Sequence, residues 1–161
     1  MEIQWPLVIY TLLAGLGAGT FCVVAVGEWL GKAERSRLPG AITALAALAA
    51  GGVASVFHLG HVERVFNILG HLSSTISLEM ISIALSGAAM VAYIVLAAQG
   101  PASWTKAALN RRKVVAAIGF VFSVVTALRL GWSYVLSSPP VWNTWLLPLL
   151  YVASAALLGL F

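Results

Sequence analysis

The sequence predicts an all-α integral membrane protein, one bundle of about five transmembrane helices with its N-terminus outside. Three observations carry this. First, 61% of the 161 residues are hydrophobic and only 9% are charged, against roughly 25% charged in soluble domains. A soluble core of this size cannot hide so much apolar surface, so lipid must be the solvent for most of the chain. Second, the apolar residues fall into runs of about 20, the length a bilayer demands when every backbone group must be paired within the segment. Third, Lys and Arg cluster in alternate connections between those runs.

The first run, 5–30, is framed by Trp5 and Tyr10 at one end and Trp29 at the other, rings that favour headgroup depth. Glu2 precedes it and no basic stretch does, so it reads as a retained first helix and not a cleaved leader. The second, 41–59, is rich in Ala and Gly, a composition that lets helices approach closely. Gly15, Gly19, Gly27, Gly51 and Gly52 read as packing positions. The remaining runs are 76–98, 114–136 and 142–161.

Lys32, Arg35 and Arg37 lie between the first two runs, and Lys106, Arg111, Arg112 and Lys113 between the third and fourth. The other connections hold Arg64, offset by Glu63, or no charge at all in 137–141. The positive-inside rule therefore makes the first and third connections cytoplasmic and leaves the N-terminus outside. The fifth run ends at Phe161 without a basic anchor, which reads as a fragment of a longer bundle. The net charge of +4 is explained by topology and does not call for nucleic acid. No polar stretch is long enough for a separate catalytic domain. Cys22, within an apolar run, reads as a small buried hydrophobe.

Placed on this topology, the polar residues gather at the outer rim. His58 and His61 end the second helix, Glu63 and Arg64 follow, and His71 lies in the outer connection. Glu79 stands in the first turns of the third helix, Arg129 near the end of the fourth, and Trp142, Asn143 and Trp145 open the fifth. Glu79 is flanked by Leu78, Met80 and Ile81. A carboxylate at such a position normally faces a cavity or a partner across the bundle, and Arg129 is its expected counter-ion. His58 beside Glu79 makes an acid/base pair suited to moving protons near neutral pH. His61 and His71 read as solvated. Trp142 and Trp145 form an interfacial belt or wall a slot for a flat ring. At the opposite rim, Glu28 is expected to pair with Lys32 one turn on. The histidines lack zinc spacing, and none lies in the first, third, fourth or fifth helix, so neither metal nor haem is expected on this chain.

The stretch Phe57-His58-Leu59-Gly60 with Arg64, Asn67, Ser77 and Glu79, and the tail Pro140-Val141-Trp142-Asn143-Thr144-Trp145, resemble the membrane anchor subunit of dimethyl sulfoxide reductase (DmsC type). The NrfD/PsrC-type anchors are similar. Val62 and Leu78 depart from the pattern, standing where such anchors tend to carry Pro and Arg. The resemblance implies an anchor that oxidises menaquinol or another quinol. Its partners would be an iron–sulfur electron-transfer subunit and a molybdopterin catalytic subunit. His58 and Glu79 are the positions such anchors associate with quinol, and Arg64, Trp142 and Asn143 complete the candidate set. A secondary transporter is the rival from another class, but transporters place ionisable groups near the midplane. A purely structural anchor is the second rival.

Overall fold

The computed structural model describes residues 5–32, 34–56, 74–99, 105–135 and 144–160. They form five α-helices: α1 (Trp5–Trp29), α2 (Arg37–Val56), α3 (Thr75–Ala97), α4 (Lys106–Trp132) and α5 (Leu146–Leu160). The described residues contain no strand. Helices α1 to α4 are each long and apolar enough to cross a membrane, so the chain is a multi-pass membrane protein. The 15 residues of α5 cover about 22 Å at about 1.5 Å per residue, short of a core about 30 Å thick. It begins after Trp145, where the Thr144 hydroxyl accepts from the Leu146 amide at 3.3 Å.

The largest difference from the expected boundaries is at α4, which starts at Lys106 and not near 114. The four basic residues placed in a loop thus belong to the helix. Thr105 caps it by accepting from the Ala108 N–H at 3.3 Å, and Lys, Arg, Ala and Leu are good helix formers. Hydropathy marks where lipid begins, not where the helix begins. Arg37 likewise opens α2.

α1 packs against α2, α4 and α5, while α3 packs against α4 and α2. α1 and α3 therefore stand on a diagonal, bridged by long side chains such as the edge-to-face pair Phe21–Tyr93, with centroids 5.5 Å apart. Small residues line the interior: Ala14, Ala25, Ala41, Ala44, Ala116 and Ser86 are fully buried, whereas Leu12, Val53, Val91 and Val121 face outward. Between membrane helices, close backbone approach and interhelical hydrogen bonds replace the hydrophobic drive of a soluble core. The Ser86 and Thr126 hydroxyls pair at 2.9 Å and join α3 to α4.

Two of the expected glycine positions, Gly19 and Gly51, meet a neighbouring helix backbone; Gly15 and Gly52 face open space, and Gly17 takes their place against Ala44. A methyl on Gly19 would lie 1.7 Å from the Ala155 carbonyl oxygen. Gly19→Ala is therefore expected to push α5 off α1 and lower thermal stability in detergent, by about 1–3 kcal/mol. Gly15→Ala, in open space, should raise it slightly through helix propensity. Equal shifts for both would refute the close α1–α5 contact.

Candidate functional site

Glu79 lies one turn into α3 and is 8% exposed. Helix α1 runs parallel to α3 and brings the Tyr10 hydroxyl to one carboxylate oxygen. The end of α4 brings the Ser133 hydroxyl to the other. Both hydroxyls donate, so hydroxyl groups from two other helices hold the carboxylate. It retains acceptor capacity, because a carboxylate offers about four lone-pair sites. The rings of Tyr134 and Tyr151 stack beside it, 5.6 Å apart and inclined by 16°, and both phenols lie within electrostatic reach of Glu79. The site thus combines a buried proton acceptor and two donors from α1, α3 and the end of α4 with a stacked pair of tyrosines from the end of α4 and from α5.

Arg129 is not the counter-ion of Glu79. Among the described residues it has no carboxylate partner, and it lines a separate groove of about 320 Å3 with Val125, Leu128 and Trp132. Trp132 meets Trp145 edge-to-face at 4.8 Å, so Trp145 packs against a second indole. The other expected site residues, His58, Arg64, Trp142 and Asn143, lie outside the described residues, as do His61, Glu63, Asn67 and His71.

A second buried carboxylate stands at the other end of α1. Glu28 is 18 residues from Tyr10, about 27 Å along the helix. Its Oε1 accepts from Arg112 Nε at 2.7 Å, while Oε2 accepts from the Tyr93 hydroxyl at 2.9 Å and faces Arg37 Nε at 3.2 Å. The expected pairing with Lys32 is overturned. Lys32 is exposed, whereas α4 and α2 turn Arg112 and Arg37 inward. An i,i+4 pair yields only about 0.2–0.5 kcal/mol, too little to draw a buried carboxylate away from two guanidiniums.

The partners of Glu79, Tyr10 and Ser133, carry no signal of that role in the sequence. Tyr10 reads in sequence as an interfacial ring, and its distance from Glu79, 69 residues, hides the contact. Among the described residues no group of three or more His, Cys, Asp or Glu side chains is arranged to hold a metal ion. With this geometry in place, the family model described as polysulphide reductase, NrfD matches residues 1–161. Neither the curated proteins nor the solved structures yield a match.

Proposed function

Because the chain belongs to the polysulphide reductase NrfD family, whose members are quinone-interacting membrane anchors of oxidoreductase complexes with iron–sulfur and molybdenum subunits, we propose that it oxidises menaquinol at Glu79. Electrons would pass to the iron–sulfur partner of a dimethyl sulfoxide reductase-like respiratory complex. The observation that carries this reading is the Glu79 carboxylate held by Tyr10 and Ser133 beside the stacked tyrosines.

A quinol entering from lipid lays its ring along the stacked tyrosines. Oxidation to quinone releases two protons and two electrons. One hydroxyl proton passes to Glu79, directly or through the Ser133 or Tyr10 hydroxyl, within a reach of about 2.6–3.2 Å. His58 takes the other, and Arg64, Trp142 and Asn143 contact the ring. The electrons move to a cluster in the docked partner, whose redox chemistry is its own. With the Glu79 end outside, both protons leave on the non-cytoplasmic side. A polysulphide-type complex is the second reading, favoured by the family description. The acceptor is chosen by the catalytic subunit.

The test is menaquinol-driven reduction of the partner's clusters in membranes. His58→Ala is expected to slow it by about 10²-fold or more. A wild-type rate in that variant would remove His58 from the mechanism. Uptake of a solute by the chain reconstituted without partners would instead support a transporter.

A further inference from the structure

The end of the bundle away from Glu79 carries an open groove of about 450 Å3, where the last turn of α1 meets the first turns of α2 and α4. Arg37, Lys106, Arg112 and Lys113 line it, with Glu28 and Glu34. Four cations against two carboxylates leave two positive charges. Glu28 already engages Arg37 and Arg112, so Lys106 and Lys113 face the groove with only Glu34 to offset them. The first turn of α4 adds its partial positive charge.

The groove also lies at headgroup depth. The Trp29 indole donates to the Lys113 carbonyl at 3.2 Å and packs on Phe120, with centroids 5.5 Å apart. Directly beyond Lys113, the side chains of Val114, Ile118, Val121 and Val125 are all exposed on α4. Their spacing of four, three and four residues places them on one helix face. The cationic cup and the apolar stripe thus stand side by side on α4, about a third of a turn apart, and the stripe descends into the hydrocarbon.

We propose that this groove binds the phosphate headgroup of an anionic phospholipid, with an acyl chain lying along the Val114–Val125 stripe. The Lys and Arg distribution assigns this end to the cytoplasmic leaflet, where anionic headgroups meet basic juxtamembrane residues. A free phosphate would use the cations and ignore the stripe. The lipid uses both, and bridges α4 to the start of α2.

The test titrates the full chain in nonionic detergent with dioleoyl phosphatidylglycerol, dioleoyl phosphatidylcholine or inorganic phosphate. Retained lipid is counted by native mass spectrometry and thermal stability is followed in parallel. Phosphatidylglycerol is expected to be retained over phosphatidylcholine and to raise the unfolding temperature. The double variant Lys106→Gln, Lys113→Gln should weaken its binding about 30-fold, at about fivefold per basic residue near the interface. Lys106→Arg with Lys113→Arg should preserve it. Lys32→Gln with Arg35→Gln removes equal charge from exposed positions that do not line the groove and should weaken binding clearly less than the groove variant. No lipid preference in the wild type, equal loss in both Gln variants, or inorganic phosphate displacing the lipid at matched concentration would each overturn the proposal. So would loss of a co-purifying protein subunit, with lipid retention unchanged, in the Lys106 and Lys113 variant.

Discussion

Glu79→Gln is expected to lower quinol-driven electron transfer by about 10²–10⁴-fold, the range for loss of a positioned proton acceptor. The amide keeps the shape of the carboxyl group and one acceptor oxygen, but cannot take a proton. It also presents an NH2 to one of two hydroxyls that now donate to it. Tyr10→Phe and Ser133→Ala each leave the carboxylate in place and remove one of its donors. A hydrogen bond to a charged group contributes about 1.5–3 kcal/mol, so each should slow the reaction by roughly tenfold to a hundredfold and less than Glu79→Gln. The readout is acceptor reduction driven by a quinol analogue in membranes. An artificial donor that reduces the partner subunits directly serves as the control for assembly. Unchanged donor-driven activity with collapsed quinol-driven activity is the expected pattern. A wild-type quinol rate in Glu79→Gln would remove the site.

Much of the architecture is legible because lipid imposes one rule, a long apolar run for each crossing, and α1 and α3 follow it to within a residue or two. What hydropathy does not encode is helix that continues beyond the lipid, as at α4, where the stretch from Lys106 to Lys113 is helical and carries four basic residues. Glu79 stands out in sequence because a carboxylate in an apolar run has few physical excuses. Its partners do not, because Tyr10 and Ser133 are ordinary residues brought close only by the parallel α1 and the antiparallel end of α4. Glu28 shows the reverse failure. A plausible local cation, Lys32, hid a pairing across 84 residues with Arg112. Local charge pairing is a poor guide where low dielectric rewards the burial of a compensated cluster over a solvated pair.

The Glu28 cluster yields the largest expected effect on stability. One carboxylate is shared by two guanidiniums, with side-chain exposures of 3% for Glu28, 6% for Arg112 and 11% for Arg37. Removing one partner of a buried ion pair costs about 3–5 kcal/mol, because the remaining charge stays buried without compensation. Glu28→Gln strands two cations at once and should be the most damaging change, near the upper end of that range. Arg112→Gln leaves Glu28 with Arg37 and Tyr93 and should cost less. Arg37→Gln removes the longer and more accessible contact and should cost least. The double variant Glu28→Gln, Arg112→Gln leaves a neutral amide pair with one cation, and should recover part of the loss seen for Glu28→Gln alone. Unfolding in detergent, followed by circular dichroism, gives the ranking. Arg37→Gln proving worse than Glu28→Gln, or a double variant no better than its worse parent, would mean that these side chains hold the inner end of the bundle by packing and not by shared charge.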